Sequence, residues 1–121
     1  MTDAQLHAQR FDDQVVISLR GEVDLENAAR VRERIARTIP AAASRMVLDL
    51  SEVIHIDSAG VRLLFDLGAR FGERRHELTI VAPAGSLVRE VVDVVRLESV
   101  AAVVDSLDDA LRVSGPGTAA P

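Results

Sequence analysis

The stretch that decides the fold is VLDLSEVIHIDSAGVRLL, residues 47–64. Its first part is an apolar run of the kind found in strands buried on both faces, and the run stops at Asp57 and Ser58. Apolar residues then recur at helical spacing from Val61 onward. A buried strand that leads through a short polar junction into a helix is typical of a parallel α/β sheet, so the stretch predicts that class of fold.

Strand and helix patterns alternate along the rest of the chain. The segments typical of strands are 4–11, 14–19, 45–50 with its continuation 53–56, 78–81 and 101–104. Helical spacing is seen at 25–39, 61–71, 87–95 and, capped by Ser106, up to Arg112. The order ββαβαβαβα predicts a mostly parallel sheet covered by helices, with an antiparallel N-terminal edge strand formed by a hairpin across Asp12 and Asp13.

Length and composition indicate a single domain. A chain of 121 residues, 48% of them hydrophobic, can form one domain with a core of Val, Leu, Ile and Ala. We expect that domain to span 1–113 and the tail 114–121 to be disordered. Asp24 is the expected N-cap of the first helix, and Pro40 follows the end of that helix.

Composition also excludes several classes of function. The net charge of −5 argues against direct binding to nucleic acid or to an anionic membrane. There is no cysteine, and His7, His55 and His76 lack ligand spacing, so we expect no metal site and no cofactor. The sequence shows neither a signal peptide pattern nor an apolar run of about 18 residues, which predicts a cytoplasmic protein.

The polar residues that end two strands are the candidate functional residues. Glu22 and Asp24 follow the second strand, and Asp57 and Ser58 follow the third. Because the carboxyl ends of parallel strands open at the same edge of a sheet, these side chains are expected to line one surface.

Ser58 has two interpretations that rest on the residues alone. A serine nucleophile needs a base and, in the α/β-hydrolase elbow, the motif G-x-S-x-G; here Ile56 stands at the first glycine position, and His55 lies too near on an extended segment. As a helix cap, either Asp57 or Ser58 would accept a first-turn hydrogen bond worth about 1 kcal/mol. A cap does not explain Gly60, which costs about 1 kcal/mol in a helix unless a partner approaches closely or the first turn is crowded.

Two motifs carry a resemblance to a known family. DSAGV at 57–61 fits the pattern D-S-[SA]-G-[VL], and LRGEVD at 19–24 fits L-x-G-E-x-D. With these motifs, residues 15–112 resemble the STAS domain of bacterial anti-sigma factor antagonists. The resemblance implies that Ser58 is the residue phosphorylated by a partner that is both anti-sigma factor and serine kinase.

The resemblance also implies a mechanism and a set of contacts. The unphosphorylated protein would bind the anti-sigma factor and release a sigma factor, phosphorylation of Ser58 would end that binding, and a serine phosphatase would reset the protein. No catalytic residue in the chain itself is implied. The implied partner-binding residues are Glu22, Asp24, Asp57, Ser58, Ala59, Gly60, Val61 and Arg62.

Alternatives remain at this stage. Asp24 either helps to present Ser58 to the kinase or is a plain helix cap. Two other functions remain as alternatives. One is a STAS subunit of a transporter or lipid-trafficking complex without phosphoregulation, and the other is a small enzyme or nucleotide-binding domain. The last is disfavoured because the chain has no lysine and no glycine-rich phosphate loop. It departs from the commoner family pattern at Ala59, where many members have a second serine, and at Arg75 and His76, where a glycine often precedes the fourth strand.

Overall fold

A computed structural model describes residues 3–11, 14–39 and 43–114 and shows a five-stranded sheet with the strand order β1-β2-β3-β4-β5. The strands are β1 Gln5–Phe11, β2 Gln14–Val23, β3 Arg45–Ile56, β4 Glu77–Val81 and β5 Ala102–Val104. The helices are α1 Ala28–Thr38, α2 Ser58–Glu73, α3 Leu87–Val94 and α4 Leu107–Ser114, and a short 3₁₀ helix, Leu97–Ser99, precedes β5. β1 pairs antiparallel with β2 and every other pair is parallel, which confirms the predicted class and element order.

The sheet is covered unequally on its two faces. Ile17 and its alternate neighbours on β2 face the larger core, which Ile35 of α1, Leu64 of α2 and Val92 of α3 complete. Val16 points the other way into a smaller cluster, where Ala110 of α4 closes the opposite face. This burial on both faces is the reason that the strands read as apolar runs rather than as alternating patterns.

Two strands are longer than the sequence pattern predicts. β2 continues to Val23 and β3 runs unbroken to Ile56. The pairing of β2 with β3 therefore extends beyond Asp49, the last β3 residue that pairs with β4. At two register shifts along this extension β3 contributes one residue more than β2, and Ile54 has no partner at the second shift. Gly21, with φ +104°, permits the distortion in β2. Near these bulges Arg20 and Gly21 interrupt the apolar run of β2, and Ser51 and Glu52 interrupt that of β3, which is why the sequence pattern ends too early.

The first helix begins later than predicted. The sequence pattern places its start at Leu25 with Asp24 as the N-cap, but α1 begins at Ala28 and Asn27 holds the cap position. Leu25 is 80% exposed and does not belong to the core face of the helix. The prediction was wrong because residues 24–27 form a separate turn that is held by side-chain hydrogen bonds.

Several expectations lie wholly or partly outside the described residues. These are the Asp12-Asp13 turn, Pro40 and most of the expected tail, of which Ser114 forms the last residue of α4. Among the described residues, no helix is long and apolar enough to cross a membrane.

α2 ends in a turn that normally contains glycine. The N–H of His76 bonds to the Phe71 carbonyl at 2.8 Å and the N–H of Arg75 to that of Gly72 at 3.1 Å, which is the pattern of a Schellman cap. The rings of Phe71 and His76 meet edge to face across the cap. Arg75 therefore takes the left-handed conformation, with φ +58°, which residues other than glycine seldom adopt.

Replacing Arg75 with glycine is expected to stabilise the protein. A side chain in the left-handed region costs about 1–2 kcal/mol, so Arg75→Gly should raise the free energy of unfolding by about 0.5–1 kcal/mol after the entropy of glycine is counted. Chemical denaturation measures the change. Arg74→Gly is the matched control, because Arg74 has a φ of −93° and its replacement should only destabilise. Equal effects of the two changes would contradict this account of the cap.

Candidate functional site

The candidate residues meet where β2 and β3 end side by side. Val23 and Ile56 are the last residues in register, so Asp24 and Asp57 leave the sheet at the same level. The N–H of Asp57 donates to the Val23 carbonyl at 3.2 Å and continues the contact beyond the strands. The expectation that both loops lie at one edge of the sheet is confirmed.

The carboxylate of Asp57 joins the two loops. Its Oδ1 accepts hydrogen bonds from the N–H groups of Ala59 at 2.9 Å and Gly60 at 3.1 Å. Its Oδ2 accepts from the N–H of Leu25, which lies in the other loop, at 3.0 Å. Asp57 is thus the N-cap of α2 and also a clasp between the two segments.

Ser58 is left free by this arrangement. It is the first residue of α2 and is exposed, while the cap comes from its neighbour. Within the part of the chain that the structure describes, its hydroxyl makes no hydrogen bond. The sequence alone left open which of the two residues caps the helix, and the structure assigns that task to Asp57.

The hydrogen bonds to Asp57 lower the pKa of its carboxyl group. Burial is the largest influence and acts to raise this pKa, but the N–H groups of Gly60, Leu25 and Ala59, together with the nearby His55, outweigh it. A carboxyl group whose pKa is lower in the folded than in the unfolded protein stabilises the fold above its unfolded pKa. This stabilisation is lost as the pH falls through the folded pKa.

Removing the charge of Asp57 is expected to change stability in a pH-dependent way. Asp57→Asn should lower the free energy of unfolding by about 1 kcal/mol at pH 7, because the amide cannot accept from both loops. The deficit should begin to shrink as the pH falls below the ordinary carboxyl pKa of about 3.9, where the unfolded chain becomes protonated, and it is lost only as the pH passes through the lower pKa of folded Asp57. Denaturation curves from pH 7 to pH 3 measure it.

Ser86→Ala is the matched control for this pH dependence. Ser86 caps α3 by accepting from the Arg89 N–H at 3.1 Å with a hydroxyl that does not titrate in this range. Its loss should cost a similar free energy at every pH. A deficit in Asp57→Asn that is as constant as the deficit in Ser86→Ala would show that ionisation of Asp57 is not the source of its stabilising effect.

Asp24 is occupied within its own loop. Its Oδ1 accepts from the N–H groups of Glu26 at 3.0 Å and Asn27 at 3.2 Å. The amide of Asn27, only 3% exposed, in turn accepts from the Asp24 N–H at 3.0 Å and donates to the Glu22 carbonyl at 2.8 Å. Asp24 therefore caps the turn before α1 rather than α1 itself, and it stays half-buried beside the Asp57 clasp.

Gly60 is required by the internal packing of the protein. A Cβ atom at this buried position would lie 2.5 Å from Cγ1 of Ile56 and 2.9 Å from the Val23 carbonyl oxygen. Between the two explanations that the sequence allows, close approach of a partner or crowding in the first turn, this geometry supports crowding. The residues that approach Gly60 belong to the ends of β2 and β3.

Adding one methyl group at Gly60 is expected to strain this junction. Gly60→Ala should lower the free energy of unfolding by about 1–2 kcal/mol, because overpacking outweighs the gain in helix propensity. Gly72→Ala is the control in the same helix, since a Cβ there meets nothing within 4 Å, and it should stabilise by up to about 1 kcal/mol. Thermal or chemical denaturation compares the pair, and equal stabilisation by both changes would contradict the packing argument.

The remaining expected contact residues lie at the start of α2 and at the end of β2. Ala59 and Val61 are half-buried, and Val61 also packs against the main core, whereas Arg62 is exposed. Glu22 is half-buried and lies opposite His55 in the register of β2 and β3.

Two exposed apolar residues close to these positions were missed by the sequence analysis. Leu25 is 80% exposed although its N–H is held by Asp57, and Ile54, the unpaired bulge residue, is 59% exposed. No sequence signal marked Ile54 as exposed, because it directly follows the apolar Val53 in a segment typical of a buried strand. For Leu25 the helical spacing pointed to the core instead.

Charge at this edge of the sheet is mainly negative. The acidic side chains here are Glu22 at the end of β2, Asp24 and Glu26 in the loop that follows, and Asp57 before α2. The histidine and arginine beside them are His55 and Arg62. Among the described residues, no group of three His, Cys, Asp or Glu side chains could hold a metal ion.

Comparison with known proteins identifies relatives of this arrangement. Residues 6–105 match the family model described as Mlab, STAS domain. The anti-sigma-F factor antagonist RsfB of Mycobacterium tuberculosis is 30% identical over 96 residues, which are 79% of this chain and 77% of that protein. Osmosensory protein A of the same species is 38% identical over 61 residues, half of this chain but only 38% of that protein.

Solved structures share the fold. An anti-sigma factor antagonist from Mycobacterium paratuberculosis superimposes with a TM-score of 0.79 at 23% identity, covering 93% of this chain and 94% of that one. The Bacillus cell fate determinant SpoIIAA in its phosphorylated form gives a TM-score of 0.67 at 20% identity, covering 90% and 99%. At these identities the likeness concerns the fold.

Proposed function

Because the chain belongs to the anti-sigma factor antagonist family of STAS domains, we propose that its unphosphorylated form binds an anti-sigma factor that is also a serine kinase. Binding displaces a sigma factor from that partner, and transcription follows. The kinase then transfers the γ-phosphoryl group of ATP to Oγ of Ser58, with loss of the hydroxyl proton and release of ADP. The phosphorylated protein no longer binds, and a serine phosphatase restores it by hydrolysis.

The observation that carries this proposal is the free hydroxyl of Ser58 beside a cap that another residue supplies. Because Asp57 provides the hydrogen bonds that hold α2, Ser58 is exposed and available to a kinase without unfolding. A phosphate adds about −1.5 to −2 charges, and at the N-terminus of a helix that charge is compatible with the macrodipole. The domain can therefore accept the modification and keep its structure.

The same charge is unfavourable for a bound partner. A protein packed against the first turn of α2 would desolvate a dianion beside the carboxylate of Asp57, which is permanently ionised at neutral pH. A penalty of about 3 kcal/mol already lowers affinity more than a hundredfold. The switch thus needs no large change of conformation in the antagonist.

The partner surface that we propose surrounds Ser58. Leu25, in the loop after β2, and Ile54, at the second bulge of β3, are exposed apolar side chains that can bury area on binding. Val61 and Arg62 extend the surface along α2. The acidic loops favour a partner with basic side chains at the rim. In this proposal the protein acts as a cytoplasmic binding module without catalysis of its own.

Phosphorylation can be tested by intact-mass spectrometry. The protein is incubated with ATP and a lysate of its native host whose kinases are shown to be active on a standard substrate. We expect the mass of one added phosphate on wild type and none on Ser58→Ala. Ser106→Ala is the matched control, because Ser106 also stands at a helix start but its Oγ accepts from the N–H of Asp109 at 3.1 Å. This variant should be phosphorylated like wild type.

A second measurement connects phosphorylation with binding. The kinase is purified from the lysate by following the added phosphate mass, and its affinity for unmodified and phosphorylated protein is compared by calorimetry. The proposal requires at least a hundredfold weaker binding of the phosphorylated form, and displacement of a sigma factor by the unmodified form. An unmodified wild-type mass, or phosphate retained in Ser58→Ala, would refute the assignment of Ser58.

A further inference from the structure

Arg62 lies one helical turn after Ser58. Residues four apart on a helix are neighbours on its surface, with Cβ atoms about 5–6 Å apart. Ser58 and Arg62 are both exposed members of α2, so their side chains lie on the same open face of the helix. Because side chains on a helix lean toward its N-terminus, the guanidinium of Arg62 can reach back to a group added to Oγ of Ser58.

Arg62 is also uncommitted in the unmodified protein. Asp66, the acid one turn further along α2, is paired instead with Arg32 of α1, with 3.7 Å between Nη1 and Oδ2. The carboxylate of Asp57 is directed to backbone N–H groups on both of its oxygens. In the part of the chain that the structure describes, Arg62 makes no ion pair or side-chain hydrogen bond.

We propose that Arg62 is the intramolecular partner of the phosphate on Ser58. Phosphorylation would then act twice at the partner surface, because it adds a dianion and withdraws Arg62, the exposed cation within the described residues 58–62 at the start of α2. This inference rests on the proposed phosphorylation of Ser58 and specifies which side chain of the protein binds the phosphate.

The chemistry of the two groups favours this pair. Arginine and phosphate form charge-assisted, often bidentate hydrogen bonds, and an anion placed four residues before a cation is the better order on a helix. Other charged groups near the phosphate are the carboxylates of Asp57, Asp24 and Glu22 and the imidazole of His55. They are the same in wild type and in a variant at position 62, so a comparison of the two isolates Arg62.

The second ionisation of the phosphate reports the interaction directly. Phosphoserine is installed at position 58 by genetic encoding, and the phosphorus chemical shift is followed by NMR as a function of pH. Arg62 stabilises the dianion, so Arg62→Gln should raise the second pKa of the phosphate by about 0.3. Arg62→Lys keeps a positive charge and should recover part of the shift.

Arg70→Gln is the control, because Arg70 is an exposed arginine of α2 that lies about 18 Å from Ser58 along the helix axis. It should leave the phosphate pKa at the wild-type value. Equal pKa values in wild type and Arg62→Gln, or an equal shift in Arg70→Gln, would overturn the inference. Since the phosphate is installed without a kinase, this result is independent of whether a kinase modifies Ser58 in the cell.

Discussion

The carboxylate of Asp57 is the interaction on which the rest of the site depends. It receives N–H groups from two segments of the chain, two from the start of α2 and one from the loop after β2. The first contact starts the helix, and the second holds the neighbouring loop against that start. Because one side chain performs both tasks, the hydroxyl next to it is not needed for stability, and Ser58 remains exposed.

Adjacent residues therefore have separate roles in the function that we propose. Asp57 carries a charge that the fold requires, and Ser58 carries one only after modification. Both charges lie at the N-terminus of α2, where backbone N–H groups and the macrodipole favour an anion within the domain. A partner that covers the same place supplies no such compensation, so a small covalent change can control binding while the antagonist keeps its structure.

The surface around this pair is created by departures from regular structure. The second bulge of β3 leaves Ile54 without a register partner on β2, and the turn at residues 24–27 holds Leu25 outside α1. In each case buried neighbours fix the backbone, namely Ile56 beside the bulge and Asn27 within the turn. Exposed apolar side chains on rigid segments lose little entropy on binding, which suits them to contact another protein.

The sequence by itself determined the order of the elements, the parallel sheet with its antiparallel edge, and the position of Asp57 and Ser58 at a strand-to-helix junction. These features depend on apolar periodicity and on short motifs, which are local properties of the chain. Only the tertiary structure decided that Asp57 rather than Ser58 is the cap, that Asp24 closes a turn before α1, and that Gly60 avoids the Val23 carbonyl and Ile56. The Leu25 N–H that holds the second oxygen of Asp57 and the Val23 carbonyl that crowds Gly60 come from a distant segment of the chain. The turn at Asp24 is local, but it is fixed by the buried amide of Asn27, and sequence spacing does not distinguish such contacts from the alternatives.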